Sequence, residues 1–260
     1  MTLTGGMAIG DLNNTLSHLQ GDGVDGDDFA AIGKDGALRA DIVAVILRHR
    51  LFTSPEVQIR RLLEINEAVW KDAAITPEAI RAIGDPPDCP VSDEHGLYCV
   101  CLFSETGDAV RTFARNWEAC VHVHGEDGTW KWDGLRFTSE CVRQRVGAIV
   151  RPIGLRWQVA ELGRQFQKQS VANVRPQLGK VMGIGQELPF IAVMHPKWAV
   201  SMNGDTIPFV DAPDLEMAPS ALGAFSSAPF LGFSRGNRRV FLGADLIGPP
   251  FPRFRSGSLR

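Results

Sequence analysis

The sequence predicts an α+β fold, with N-terminal helices followed by a mixed strand and helix region that ends in a β-hairpin. Three observations carry this prediction. Apolar residues recur at helical spacing between residues 41 and 83, alternating and β-branched segments follow from Leu97 onward, and turn residues separate two apolar runs near the C-terminus. Strands and helices do not alternate regularly, which argues against a doubly wound parallel sheet.

Residues 1–40 are predicted to be a flexible acidic arm. They contain eight glycines and six aspartates but few large apolar side chains. Such a segment buries too little apolar surface to offset the entropy that ordering costs. The Gly- and Asp-rich run 21–28 lacks the ligand positions of an EF-hand loop, so we interpret it as solvated chain.

Residues 41–248 are predicted to form a single globular domain, with a sub-boundary at the proline-rich stretch 84–90. Its first helix is indicated by Ile42, Val45 and Ile46, which share one helical face. Ser54-Pro55-Glu56 and Thr76-Pro77-Glu78 are typical starts of two further helices, because each combines an N-cap residue with proline at the first helical position.

Strand signals dominate beyond the proline-rich stretch. Residues 97–103 and 155–160 are predicted strands, and residues 230–233 and 239–246 flank a turn that contains Gly236-Asn237, which predicts a hairpin. We place residues 109–123 on a helix, because the helical period covers the whole segment, although residues 120–124 taken alone alternate like a strand. Residues 249–260 are predicted to be a flexible basic tail.

Charge is divided unequally along the chain. Residues 1–130 carry 10 lysines and arginines against 21 acidic residues, whereas residues 131–260 carry 17 against 9. A basic half of this kind can bind a polyanion or pair with the acidic half.

Several classes of protein are excluded or made improbable by composition. No apolar run approaches the roughly 18 residues that a membrane span needs, so no membrane partner is expected. The five cysteines show no disulfide framework, and the first ten residues do not resemble a secretory signal. These features predict a cytoplasmic protein with reduced thiols.

A metal site is the sharpest chemical hypothesis. Thiolate and imidazole are the ligands that Zn²⁺ prefers, and several of both fall within a short stretch of sequence. The candidate ligands are Cys99, Cys101, Cys120, His122 and His124. No Cys-x-x-Cys or His-x-x-x-His pair is present, and buried cysteine is a common core residue, so core packing is the alternative.

Two other kinds of catalytic centre are compatible with the same region and with the segment that follows. Cys99 or Cys120 would be a nucleophile if a histidine activated it. His195, at a predicted helix break, would be a general base, with Asp205, Asp211 and Asp214 as carboxylate partners. Packing and turn formation explain these residues equally well.

Gly232-Phe233-Ser234-Arg235-Gly236 matches the nucleophile elbow of α/β-hydrolases letter for letter. The elbow requires a strand that turns into a helix, followed in the chain by the catalytic histidine. No histidine follows His195, and the residues after Ser234 predict a strand, so we interpret the motif as a hairpin turn.

A binding surface is predicted on the basic half. Two tryptophans stand two residues apart on an extended segment, close in sequence to several arginines, which is typical of a platform that stacks bases or sugars. The candidate residues are Trp130, Trp132, Arg143, Arg145 and Arg151. The alternative is that the tryptophans are part of the core.

A string of segments resembles a group of uncharacterised bacterial proteins of similar length and covers about two thirds of the chain. These segments are Trp130-Lys131-Trp132-Asp133-Gly134, Arg151–Trp157, His195-Pro196-Lys197-Trp198, Met202-Asn203-Gly204-Asp205 and Ile207-Pro208-Phe209. The resemblance implies no activity or cofactor.

The sequence therefore favours a protein without a cofactor that acts by binding a macromolecular partner or nucleic acid through its basic C-terminal half. The alternative is a zinc-dependent hydrolase that uses the cysteine and histidine cluster at 99–124. No complete catalytic motif decides whether the chain is an enzyme.

Overall fold

The computed structural model describes residues 26–38, 51–87, 97–104, 108–162, 164–166, 168–204, 207–218, 223–250 and 252–259. The chain divides into two compact units, Met1–Arg48 and His49–Arg260. The predicted sub-boundary at 84–90 falls inside the second unit. No described helix has both the length and the apolar character needed to cross a membrane.

The described part of the first unit is helical, which differs from the solvated chain expected there. Helix α1 spans Gly26–Lys34, with Asp27 and Asp28 in its first turn and Lys34 in its last. These charges oppose the partial charges at the helix ends and stabilise it locally. The rest of the predicted acidic arm, and the predicted helix that begins near Asp41, lie outside the described residues.

The second unit begins with helices at the positions that the start signals predict. Helix α2 spans Pro55–Ile65, a π-helical turn continues it over Asn66–Trp70, and α3 spans Pro77–Ala82. The Thr76 hydroxyl accepts a hydrogen bond from the Ala79 N–H, which caps α3.

The long helix α4 confirms the helical interpretation of residues 109–123. It spans Ala109–His124, begins where the Asp108 carboxylate accepts two backbone N–H bonds, and ends at Gly125, whose φ is 80°. Its buried face includes Phe113, Trp117 and Cys120. The longer period predominates because this face packs on the core along most of its length.

One of two sheets has four strands, in the order β1-β4-β11-β5. Strands β1 and β4, which sequence patterning predicts, pair antiparallel along their whole length. The bounds are Leu97–Ser104 (β1), Gly154–Glu161 (β4), Met182–Gly183 (β5) and Ser258–Leu259 (β11).

The other sheet has seven strands and is organised around the predicted hairpin. Strand β9 pairs with β8 from end to end, while β6 and β7 each pair with part of the other edge of β8. Strand β2 adds to β9 in parallel, β3 pairs with β7, and β10 pairs with β6. The bounds are Thr129–Lys131 (β2), Val142–Gln144 (β3), Phe209–Asp211 (β6), Leu215–Met217 (β7), Ser227–Ser234 (β8), Arg239–Leu246 (β9) and Phe254–Ser256 (β10).

The segment expected to be a flexible tail, 249–260, instead contributes β10 to the larger sheet and β11 to the smaller one. Gly257 joins these strands, and a Cβ there would lie 2.3 Å from Ile184 Cδ1 and 3.1 Å from the Glu161 carbonyl oxygen. Main-chain pairing with strands that are distant in sequence orders this segment, together with the packing of Phe254 on Phe230 and of Leu259 in the core.

Helices and both sheets of the second unit contribute residues to the main hydrophobic core. Helix α6 (Leu188–Met194) is buried on every side, and α7 (Pro196–Ala199) follows the break that His195-Pro196 predicts. Helix α5 (Val171–Leu178) and a 3₁₀ turn (Arg164–Phe166) lie between β4 and β5 in the chain. The fold class is α+β, as the sequence predicts.

Candidate functional site

An aromatic cleft of about 470 Å³ opens on the larger sheet beside the β8–β9 turn. Strands β2, β6, β8 and β9 all contribute to it. The residues of this aromatic cleft are Trp130, Phe209, Phe233, Ser234, Asn237, Arg239 and Phe241.

Strand register brings the rings of the cleft together. Trp130 on β2 is opposite Phe241 on β9, and Phe241 is opposite Gly232 on β8. A Cβ at Gly232 would lie 2.7 Å from Phe241 Cζ and 2.8 Å from Phe209 Cδ1. Glycine is therefore required here for the two phenylalanine rings to approach the strand.

The phenylalanines form a rigid floor. Phe209 and Phe241 meet edge to face with centroids 5.5 Å apart, and Phe230 contacts both Phe241 and Phe254 in the same way. Edge-to-face pairs of this kind favour a fixed ring arrangement.

Trp130 is the exposed aromatic residue of the cleft. Its relative exposure is 45%, and its ring centroid lies 6.3 Å from that of Phe241. A large aromatic surface left in water at the mouth of a cleft is available to stack on a planar ligand.

Arginines of the β8–β9 turn lie beside the aromatic residues. Arg235 and Arg238 are exposed in the turn, and neither forms an ion pair with any described residue. Arg239 lines the cleft and donates from Nε to the Asp127 carbonyl oxygen at 2.9 Å. We call Arg235, Arg238 and Arg239 the hairpin arginines. Stacking surface and fixed positive charge together suit a ligand that carries rings and phosphates.

Ser234 is not placed as a nucleophile elbow requires. It ends β8 and is followed by the turn and by β9, so a strand and not a helix comes next. Its Oγ accepts a hydrogen bond from the Asn237 N–H at 3.4 Å. The hairpin interpretation of this motif is therefore confirmed.

The predicted metal ligands are not gathered at one place in the described structure. Cys101 is buried on β1 and Cys120 is buried on α4, whereas His122 is exposed on another face of α4. His124 Nε2 lies 3.4 Å from the Ala192 carbonyl oxygen, and burial lowers the pKa of its imidazole. The side chain of Cys99 lies outside the described residues. Within the described ranges, no group of three or more His, Cys, Asp or Glu side chains could hold a metal ion.

Cys120 does not have the surroundings of a nucleophile. Complete burial raises the pKa of its thiol well above its usual range. Nucleophilic cysteines have a lowered pKa and some solvent access. Cys120 is therefore a core residue, as the alternative interpretation predicts.

Three of the predicted binding arginines belong to an arginine–carboxylate network at one edge of the larger sheet. Arg145 donates to Asp214 at 3.1 Å, Arg151 donates to Asp214 at 3.0 Å, and Arg143 donates to Glu216 at 2.8 Å. We define the network as Arg143, Arg145, Arg151, Arg156, Arg175, Glu187, Asp214 and Glu216.

The network replaces the predicted platform of tryptophans and arginines. Arg151 is almost fully buried, with its Nε 3.1 Å from Glu187 Oε1. Trp132 packs against the hydrophobic core, and a Cβ at Gly134 would lie 2.6 Å from its ring. Of the five predicted binding residues, Trp130 alone lines the aromatic cleft.

The predicted general base and its carboxylates are dispersed. His195 is buried, accepts the Thr53 N–H at Nδ1 (3.1 Å) and meets the Phe52 ring edge to face. Asp214 belongs to the network. Asp211 is buried, and burial together with the Asp245 carboxylate raises its pKa well above the usual range. Asp205 lies outside the described residues.

Comparisons of the chain with protein-family models, with curated proteins and with solved structures find no match.

Sequence reasoning missed most of the cleft. Phe233 and Phe241 lie in predicted strands and Arg235 and Arg238 in the predicted turn, so the sequence did not indicate them as site residues. The useful signal is Gly232, between Leu231 and Phe233 at the end of a predicted strand, because glycine inside a strand often marks a close approach by another group.

Proposed function

We propose that the protein binds single-stranded nucleic acid at the aromatic cleft and does so without catalysis. The observation that carries the proposal is the exposed ring of Trp130 over the phenylalanine floor, beside the hairpin arginines, of which Arg235 and Arg238 are exposed. A base would stack on Trp130, and neighbouring phosphates would contact Arg235, Arg238 or Arg239.

The expected binding contributions support a role for both the aromatic cleft and the hairpin arginines. Stacking of a base on an aromatic side chain contributes about 1–3 kcal/mol, and each neutralised phosphate makes binding more sensitive to salt. A base inside a duplex is stacked on its neighbours and cannot enter the cleft without unpairing. Single strands are therefore the expected ligands.

A cytoplasmic location is part of the proposal, and the buried free thiols Cys101, Cys120 and Cys141 are compatible with it. The zinc-hydrolase alternative has no comparable support, because the described members of the cysteine and histidine cluster do not share a site.

Fluorescence anisotropy with labelled oligo(dT) and oligo(rU), measured over a series of salt concentrations, tests the proposal. We expect Trp130→Ala to weaken binding at least about fivefold and Trp130→Phe to retain most of it, because stacking needs an aromatic face. A hairpin of complementary sequence should bind less tightly than either single strand.

Arg238→Gln and Arg60→Gln form a matched pair for the electrostatic part. Both arginines are exposed, but Arg60 lies on α2 beside Glu64, remote in sequence from the cleft. Only Arg238→Gln should reduce the salt dependence. If the wild-type protein shows no salt-sensitive binding, or if Trp130→Ala binds as tightly as the wild type, the proposal is wrong.

A further inference from the structure

An exposed apolar loop connects β3 to β4. Val146, Val150 and Ile153 have relative exposures of 79%, 85% and 66%, which makes them the three most exposed large apolar residues of the described chain. Between Val146 and Val150 the chain carries only Gly147, Ala148 and Ile149, so no polar side chain interrupts the run. We call residues 146–153 the apolar loop.

The loop is held by its flanks. The Gln144 side chain donates to the Ile149 carbonyl oxygen at 3.1 Å, and the Ala148 N–H donates to the Arg145 carbonyl oxygen at 3.1 Å. Arg145 and Arg151 both bind Asp214, which ties the two sides of the loop to one carboxylate. The valines are therefore presented to solvent by an ordered framework.

The base of the loop carries excess positive charge. The arginine–carboxylate network contains five arginines and three carboxylates, which leaves a formal surplus of two positive charges. Arg143 keeps 46% of its side chain exposed although it pairs with Glu216. Exposed apolar side chains next to positive charge are complementary to a partner that has an apolar interior and a negatively charged surface.

We infer that the apolar loop attaches the protein to the surface of an anionic lipid bilayer, with Val146, Val150 and Ile153 among the acyl chains and the half-exposed Arg143 at the headgroups. A second copy of the chain is a less suitable occupant. Three aliphatic side chains cover only a fraction of the roughly 800 Å² that each partner buries in a stable protein interface.

This attachment differs from the expectation of no membrane partner, which rests on the absence of a spanning segment. A few apolar side chains that enter the interfacial region need no such segment. The inference concerns a surface other than the aromatic cleft and does not depend on nucleic-acid binding.

Vesicle co-sedimentation of the full-length protein tests the inference. One set of vesicles contains phosphatidylcholine alone, and the other contains phosphatidylcholine mixed with phosphatidylglycerol. We expect binding to the mixed vesicles, and a loss of about tenfold in the partition coefficient for each of Val146→Ser and Val150→Ser. Val200→Ser, at an exposed valine after α7, is the matched control and should bind as the wild type does.

Each remaining outcome contradicts the inference. Failure to bind the mixed vesicles at low salt overturns it directly. Equal binding by Val146→Ser and the wild type would show that charge alone holds the protein to the vesicles. If Val150→Ser leaves vesicle binding unchanged but converts a dimer to a monomer in size-exclusion chromatography with light scattering, the loop is a self-association surface. Trp130→Ala should bind vesicles normally, which separates this result from failure of the proposed function.

Discussion

Two groups of arginines in the basic half of the chain have opposite surroundings. Arg145, Arg151 and Arg156 reach into the arginine–carboxylate network, with side-chain exposures of 20%, 5% and 12%. The hairpin arginines lie in or next to a surface turn, and two of them have no acidic partner among the described residues. The number of lysines and arginines in the sequence does not distinguish these two groups.

The comparison shows that partner charge, not basic composition, decides what an arginine can bind. Removing a buried arginine leaves buried carboxylates with fewer counter-charges, which destabilises the fold. Removing an exposed one changes the surface potential and little else. The following predictions test this division, from the largest expected effect to the smallest.

Arg151→Met should lower the free energy of unfolding by about 3–5 kcal/mol, because Glu187 and Asp214 would each lose one of their two arginine partners while they stay buried. Urea unfolding monitored by circular dichroism measures the change. Arg238→Met is the matched control and should stay within about 0.5 kcal/mol of the wild type. If the two substitutions change the free energy of unfolding equally, the distinction between network arginines and hairpin arginines is wrong.

Of the two tryptophans predicted as binding residues, Trp132 should matter mainly for stability and Trp130 mainly for ligand binding. Trp132→Ala should cost about 2–3 kcal/mol of stability, since Trp132 packs against the core but is not fully buried. Trp130→Ala should cost less than about 1 kcal/mol and should affect oligonucleotide binding instead. Thermal and urea unfolding of both variants, beside the anisotropy assay, measure the two effects. A larger loss of stability for Trp130→Ala would show that Trp130 is mainly structural.

Asp211 contrasts with Asp214, three residues later. Burial and the Asp245 carboxylate raise the pKa of Asp211, so the folded state holds its proton more tightly than the unfolded state does. Stability from this group is complete below the ordinary pKa of 3.8 and declines as the pH rises above it toward the folded pKa.

Asp211→Asn should therefore raise the free energy of unfolding at neutral pH, by an amount on the order of 1 kcal/mol, and should flatten its decline above pH 3.8. Urea unfolding at a series of pH values measures both effects. Asp245→Asn should flatten the decline only in part, because burial of Asp211 remains. An unchanged slope in Asp211→Asn would assign the pH dependence to other groups.

The smallest expected effect is that of Arg238→Gln on the salt dependence of oligonucleotide binding. If Arg238 contacts one phosphate, the slope of log affinity against log salt should fall by about 0.7, the value for one contact with a single strand. Stability should not change measurably. A slope identical to that of the wild type would place the phosphates elsewhere.

Sequence patterning predicted the local elements well. The helix starts at Ser54-Pro55 and Thr76-Pro77, the long helix at 109–123 and the β8–β9 hairpin all follow from caps, periodicity and turn residues. These signals depend on interactions over a few residues, so they can be recognised in the sequence. The 249–260 segment was harder to predict, because its order depends on strands contributed from elsewhere.

The candidate site, like the 249–260 segment, depends on contacts between residues that are distant in sequence. Trp130 could be selected from sequence because it stands two residues from Trp132 on an extended segment close to several arginines, but its partners Phe209 and Phe241 are 79 and 111 residues away. Arg151 was selected on the same grounds as Trp130 and lies in the buried network instead. Tertiary structure distinguishes the two residues: Trp130 lies on β2, which pairs with β9, whereas Arg151 forms an ion pair with Asp214.

By itself, the sequence determined the α+β class, the absence of a long apolar span and the positions of helices α2 to α4 and strands β1, β4, β8 and β9, because composition and short-range periodicity express these properties directly. The tertiary structure alone decided which arginines are neutralised, which tryptophan is exposed and which cysteines are core residues. Those outcomes depend on strand register and on contacts between distant residues, which no local pattern contains.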